Sequence, residues 1–180
     1  WYAATHMLMN RVIARSTTYR LWAFGAVALG LFTTVQDQAG LGIALPQMAS
    51  HFGTDLPTVQ WVLLGYVLAI SVVLMPMGRL SDIIGRKRIY LGGALVFAVG
   101  AALAGVSSTL VPVILFKGLQ GVGNGMMSAN SMAIIVAIFP GKERGLGMGL
   151  MSAVVGLGSL AGPVVGGFLV TLLGWRAVFF

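Results

Sequence analysis

Long apolar runs alternate along this chain with short polar segments that carry most of its basic residues. The stretch Gly78–Arg88 is the clearest of these segments, with four of the eleven Lys and Arg residues. It separates two apolar runs, each close to the roughly 20 residues that a helix needs to cross a bilayer. Only 8% of the residues are charged, against about 25% in soluble domains, too few to cover a globule in water. The sequence therefore predicts an all-α membrane protein, with Gly78–Arg88 as a tight cytoplasmic turn.

Five complete membrane spans and the start of a sixth are predicted. The first ends at Pro46, and an outer loop follows over 47–57. Residues 1–20 form a predicted cytoplasmic leader, in which 1–8 are candidates for a non-native extension because Met7 and Met9 are possible start residues. The predicted spans are about 21–45, 58–77, 89–106, 110–139 and 146–173, with a sixth beginning at 177.

The basic residues predict the orientation of these spans. A cytoplasmic N-terminus places nine of the eleven Lys and Arg residues on the cytoplasmic side, as the positive-inside rule requires. The net charge of +7 then reflects membrane orientation, and we expect the lipid bilayer, not nucleic acid, as a partner. The prediction is a multi-pass protein of the cell (inner) membrane. The nine residues are Arg11, Arg15, Arg20, Arg79, Arg86, Lys87, Arg88, Lys142 and Arg144.

Enzyme chemistry has no signature in this sequence. The chain has no cysteine, and neither a Ser-His-acid set nor a cluster of metal ligands stands out. The glycines of Gly121–Gly125 do not predict a phosphate loop, since they lie in an apolar run and follow no strand. We expect no catalytic residue, no metal and no cofactor.

Asp37 is the only acid inside a predicted span, and Lys117 is the only base. A charge at the bilayer centre costs about 2.5–3.5 kcal/mol on insertion scales, so such a residue usually faces a partner or a water-filled cavity. Asp37 is consistent with a proton or cation-substrate site. The alternative is a packing contact among its polar neighbours in the chain.

Four motifs in order make the chain resemble the N-terminal half of a major facilitator superfamily transporter, in the drug:proton antiporter branch with fourteen spans. The resemblance covers about Leu21–Phe180 and implies the six-helix N-terminal half of that fold, truncated at the start of span six. A C-terminal half-domain would then be missing. The motifs are the acid and Ala-Leu-Pro of span one (Asp37, Ala44–Pro46), the loop motif (Gly78, Asp82, Gly85, Arg86, Lys87), the span-four motif (Lys117, Gln120, Gly121, Gly123) and the span-five motif (Gly158, Gly162, Pro163, Gly166, Gly167).

The resemblance implies a proton-coupled efflux transporter for drugs or lipophilic cations, which works by alternating access and uses the proton gradient without a cofactor. It assigns proton coupling and substrate binding to Asp37, Lys117 and Gln120, where opposite charges keep each other ionised. Lys117 stands where the family has Arg, and Ile83 where it has a basic residue. The alternatives are an uptake symporter of the same superfamily, or an inactive half-transporter or membrane scaffold.

Two further roles come from the resemblance. The loop motif is expected to act as a conformational latch, with Asp82 contacting a helix N-terminus in the other half-domain; the plain alternative is a positive-inside loop. The span-five motif is expected to form a packed hinge that resists ion leak, with Pro163 kinking the helix; the alternative is ordinary packing of small residues.

Overall fold

Five long helices account for most of residues 17–139 and 141–180, which a computed structural model describes. A helical turn, Leu56–Val59, precedes the second helix, and 3-10 turns at Gly141–Glu143 and Trp175–Phe179 flank the fifth. A helix satisfies its backbone N–H and C=O groups internally, which a chain in lipid requires. The prediction of an all-α membrane fold is confirmed. The helices are α1 (Thr17–Phe52), α2 (Trp61–Ile84), α3 (Arg86–Gly105), α4 (Leu110–Ile138) and α5 (Arg144–Leu173).

Four helical segments of the described chain are long and apolar enough to cross a membrane, namely Leu56–Ile84, Arg86–Gly105, Leu110–Ile138 and Arg144–Leu173. Helix α1 has 36 residues, or about 54 Å of length, but it falls outside this group. Polar residues at 33, 34 and 36–38 lower its hydropathy. The first span within α1 therefore stays a prediction.

Helix α1 extends beyond both predicted ends of the first span. It begins at Thr17 and continues through Pro46 to Phe52, so the predicted outer loop over 47–57 is wrong in its first half. A proline removes one backbone donor, yet Met48 and Ala49 are buried and continue the apolar face of the helix. Packing of this face outweighs the lost hydrogen bond. The rest of the predicted leader, residues 1–16, lies outside the described residues.

The predicted turn Gly78–Arg88 is mostly helical, and this prediction is wrong in its extent. Only Gly85 interrupts the helices, with φ 106° and ψ 129°, a backbone conformation that residues with a Cβ rarely adopt. Gly78 lies inside α2, where its carbonyl accepts a hydrogen bond from the Ser81 hydroxyl at 2.7 Å. A single glycine therefore joins α2 to α3.

Helix α4 lies between α2 and α3 and also contacts α1. Its glycines permit this close packing on two sides. A Cβ at Gly121 would meet the backbone of Tyr66 in α2, and one at Gly123 would meet the backbone of Phe97 in α3. These glycines are contact surfaces within one continuous helix.

Helix α5 packs along α1 through glycines spaced four residues apart. Gly158, Gly162 and Gly166 are buried against α1; a Cβ at Gly166 would lie 2.7 Å from the Cα of Gly40. These three glycines form a flat face of α5 against which α1 packs. Gly167 has open space where its Cβ would be, and Pro163 is exposed within the helix, so neither belongs to this face.

Two hydrophobic clusters lie toward opposite ends of the helices. One contains Leu41 of α1 and Val113 of α4, and the other contains Val27 of α1 and Met127 of α4. The segment of each helix between these residues holds the charges predicted inside the spans, Asp37 and Lys117. Outward-facing surfaces remain strongly apolar, for example at Val72, Met75 and Leu160, as expected for helices in lipid.

Gly162→Ala is expected to destabilise the protein, because the new methyl group would clash with Ala39. Overpacking typically costs about 1–3 kcal/mol, which exceeds the gain of about 1 kcal/mol from replacing a helical glycine. Gly167→Ala is the matched control and should leave stability equal or higher. Thermal melting of both variants in detergent tests this, and equal melting temperatures would contradict the tight contact.

Single cysteines test the orientation, since the chain has none of its own. Ile83 and Thr109 are both exposed and flank α3, whose 20 residues span about 30 Å. With the N-terminus in the cytoplasm, a membrane-impermeant maleimide should label Thr109→Cys on intact cells and Ile83→Cys only after permeabilisation. The reverse pattern would overturn the orientation.

Candidate functional site

An ion pair between Asp37 and Lys117 occupies the interior of the helix assembly. The ammonium of Lys117 donates to both carboxylate oxygens of Asp37, at 2.9 Å to Oδ1 and 2.7 Å to Oδ2. The Lys117 side chain is fully buried, and that of Asp37 is 9% exposed. The structure thus brings together the two charges that the sequence places inside different spans.

Removal of both charges from water makes this pair costly unless the two groups stay together. Desolvation costs several kcal/mol per ion, and loss of one partner from a buried pair typically destabilises a protein by about 3–5 kcal/mol. The two helices that carry the charges belong to different packing groups, α1 with α5 and α4 with α2 and α3. The pair therefore links the two groups at their centre.

Two aromatic rings complete the surroundings of the Lys117 ammonium. Its Nζ lies 5.0 Å from the centroid of the Tyr66 ring and 5.2 Å from that of Phe179. Both distances are within the range of cation–π attraction. Tyr66 comes from α2 and Phe179 from the 3-10 turn after α5, so four parts of the chain meet at the ammonium.

The Tyr66 hydroxyl belongs to a hydrogen-bonded group on α4. Asn124 donates from Nδ2 to the Tyr66 oxygen at 2.7 Å, and Ser128 donates from Oγ to Asn124 Oδ1 at 2.9 Å. Asn124 is buried, and burial makes a polar side chain costly unless it is hydrogen-bonded. The group fixes the position of the Tyr66 ring beside Lys117.

Gln120, one turn after Lys117, is fully buried. Neither its amide nitrogen nor its amide oxygen has a hydrogen-bond partner among the described residues. It lines a cavity of about 210 Å³ together with Asp37, Thr33 and Gln36. A Cβ at Gly100 would lie 2.6 Å from the Gln120 backbone nitrogen, so α3 holds this part of α4 in place. The Gln120 amide therefore lies beside the cavity and the ion pair, with its donor and its acceptor unpaired within the part of the chain that the structure describes.

The span-five glycines also reach this cavity, since Gly162 and Gly166 form part of its wall with Gly40 of α1. Pro163 is not part of the lining, and neither is Gly167. The hinge role predicted for the five residues of this motif stays a prediction. In the structure, Gly162 and Gly166 of α5 lie close to α1 beside Asp37.

The loop-motif residues lie far from the ion pair. Asp82 is 16 residues from Tyr66 along α2, or about 24 Å. Its exposed carboxylate accepts from Arg86 at 3.3 Å, and Arg86 also donates to the carbonyl of Ala133 at 3.4 Å. Lys87 is exposed. These contacts tie the start of α3 to α2 and α4, and the latch role of the motif stays a prediction.

Sequence reasoning missed the aromatic neighbours of Lys117. An aromatic residue in an apolar run has the same sequence signal whether it faces lipid or a buried cation. Sequence reasoning also missed the contacts of Arg20. This side chain pairs with Glu143 and lies over the Phe139 ring, 5.1 Å from its centroid. Within the described residues, no group of three His, Asp or Glu side chains lies close enough to hold a metal ion.

Comparisons with known proteins agree on one family. The sequence profile of the Major Facilitator Superfamily matches residues 27–180. A solved structure of a bacterial homologue of the human lysosomal transporter Spinster, inward-facing and unoccupied, has a TM-score of 0.73 at 18% identity, and the match covers 91% of this chain and 40% of that one. At this identity the likeness shows the fold.

Curated relatives carry transporter names. A riboflavin transporter of Clostridioides difficile (strain 630) is 33% identical, over 85% of this chain and 34% of its own length. A multidrug transporter of Bacillus subtilis (strain 168) is 33% identical, over 84% and 28%. A tetracenomycin C resistance and export protein of Streptomyces glaucescens is 36% identical, over 86% and 29%.

The chain spans about a third of the length of these relatives. The profile match covers most of its residues, and the helical architecture agrees with the solved relative. The family is one of multi-pass membrane transporters and not of enzymes. The chain therefore belongs to the Major Facilitator Superfamily.

Proposed function

We propose that this chain is part of a proton-coupled efflux transporter, with drugs or lipophilic cations as its substrates. The observation that carries the proposal is the buried Asp37–Lys117 pair beside a cavity. A buried carboxylate whose single cationic partner can be replaced by a proton or by another cation is suited to exchange one for the other. The names of the multidrug and tetracenomycin C export relatives support efflux.

In the proposed cycle, Asp37 alternates between two partners. A cationic substrate enters the cavity from the cytoplasm and competes with Lys117 for the carboxylate. A proton from outside later neutralises that carboxylate, and the substrate leaves on the outer side. Proton and substrate thus use one carboxylate in turn, which makes their exchange obligatory. The proton gradient supplies the driving force, and no cofactor takes part.

The rest of the transporter follows from the same proposal. Alternating access needs a second half-domain, which would complete the wall of the cavity. The carboxylate of Asp82 is exposed although it pairs with Arg86, and in this proposal it also meets a helix N-terminus of that half, as a latch. We place the protein in the cell (inner) membrane with its N-terminus in the cytoplasm, as the distribution of basic residues indicates.

A second candidate substrate class has its own support. The unpartnered amide of Gln120 fits a neutral heteroaromatic metabolite that both donates and accepts hydrogen bonds, and one relative is named as a riboflavin transporter. Such a substrate would bind without displacing Lys117 from Asp37. A cationic substrate would depend mainly on Asp37, and a neutral heteroaromatic substrate mainly on Gln120.

Asp37→Asn and Lys117→Ala, made in the longest reading frame that contains this chain, should strongly reduce proton-driven ethidium efflux. The first removes the proton acceptor, and the second leaves an unpaired buried carboxylate, so a loss of about tenfold or more is expected. Everted membrane vesicles with an imposed pH gradient give the measurement. Asp55→Asn, the same change at an exposed acid, is the control and should retain efflux. Unchanged coupling in both test variants would end the proposal.

Gln120→Leu separates the two substrate classes. If the amide hydrogen-bonds the substrate, its loss should weaken riboflavin binding about 10-fold, the effect of one buried hydrogen bond of about 1.4 kcal/mol, and leave ethidium efflux nearly unchanged. Binding to the purified transporter and efflux from vesicles are measured in parallel. Leu119→Ala, at an exposed position of the same helix, is the control. Absence of riboflavin binding by the unmodified transporter would reject the second class.

A further inference from the structure

The Lys117 ammonium has one anionic partner and two aromatic neighbours in the described chain. Asp37 supplies both hydrogen-bonding oxygens, and the rings of Tyr66 and Phe179 lie at 5.0 and 5.2 Å. The ammonium is fully buried. Among the described residues, these three side chains are the groups that stabilise its charge.

This dependence creates a difficulty in the proposed cycle. Whenever a proton or a cationic substrate takes the Asp37 carboxylate, the ammonium loses the one anionic partner that it has in the described part of the chain. An isolated buried cation is so costly that the group would sooner give up its charge. Arg, which the family has at this position, keeps its charge in such a site, whereas Lys loses it readily. A device that stabilises the cation without an anion would prevent that loss.

We propose that Tyr66 and Phe179 form an aromatic seat that holds the Lys117 ammonium in place while Asp37 is neutral or occupied. Ring faces attract a cation through their quadrupole, and the attraction is strongest where water is excluded. The seat is neutral, so it does not compete with Asp37 for protons. Tyr66 and Phe179 are then positioning residues, and the inference rests on the proposed function for the step in which Asp37 changes partner.

The rest of the site keeps the Tyr66 ring in position. The Asn124 amide binds its hydroxyl at 2.7 Å, and Gly121 lets the α4 backbone press against the Tyr66 backbone, where a Cβ would lie 2.5 Å from the carbonyl oxygen. Phe179 is buried and packs edge-on against Trp175, with ring centroids 6.0 Å apart. Both rings are therefore held independently of Lys117, as a preformed seat requires.

The test is a stability cycle in the background Asp37→Asn, which stands in for the neutral carboxyl. The full-length protein is purified in detergent, and the melting temperatures of the additional changes Tyr66→Phe and Tyr66→Leu are compared. Phe keeps the ring and Leu removes it. We expect the Leu variant to melt about 4 °C below the Phe variant, from the strength of a desolvated cation–π contact. The same comparison is then repeated with Lys117→Met, which removes the charge and keeps the chain length.

In the Lys117→Met background, the difference in melting temperature between Tyr66→Phe and Tyr66→Leu should largely disappear, since no cation remains for the ring to attract. An equal difference in melting temperature with Lys117 and with Lys117→Met would overturn the proposal, because the ring would then act by packing alone. If the Leu variant fails to fold, Phe179→Leu replaces it, with the exposed Phe168→Leu as matched control. Melting does not involve transport, so loss of the seat and loss of the proposed function are separate outcomes.

Discussion

The buried ion pair between Asp37 and Lys117 is the interaction on which the arrangement of this chain depends. Burial removes most of the water from both groups, so each charge is tolerable only while the other is near. The pair also crosses between the two packing groups of helices, α1 with α5 and α4 with α2 and α3. A change of partner at the carboxylate would therefore alter the contact between the two groups of helices.

Glycine determines how close the helices come to that pair. On α5 the buried glycines bring the backbone of α1 near enough for Asp37 to face the cavity. On α4, Gly121 and Gly123 let α2 and α3 approach from two sides. Without large side chains at these contacts, packing relies on close backbone approach and van der Waals contact, as is usual between membrane helices. The polar site is thus enclosed by surfaces that have little side-chain bulk.

Much of the fold follows from the sequence, and the site only in part. The fourth apolar run, 110–139, differs from Leu110–Ile138 by one residue, because apolar length is what a bilayer selects. The predicted ends of the helices at Pro46 and Gly78 were wrong. Both residues disfavour a helix locally, but tertiary contacts that the sequence does not show override this preference. Asp37 and Lys117 were found because charges are rare in such runs. Tyr66 and Phe179 were not, since the facing of an aromatic side chain depends on helix rotation, which the sequence does not encode locally.

The single residue between α2 and α3 has a mechanical consequence. A joint of one residue, Gly85, offers only two soft torsions, while Arg86 binds Asp82 on one side of it and the α4 backbone on the other. Arg86 thus connects this joint to two neighbouring helices at once. A displacement of α2 at its Asp82 end would therefore be transmitted to α3 and α4 through this one side chain.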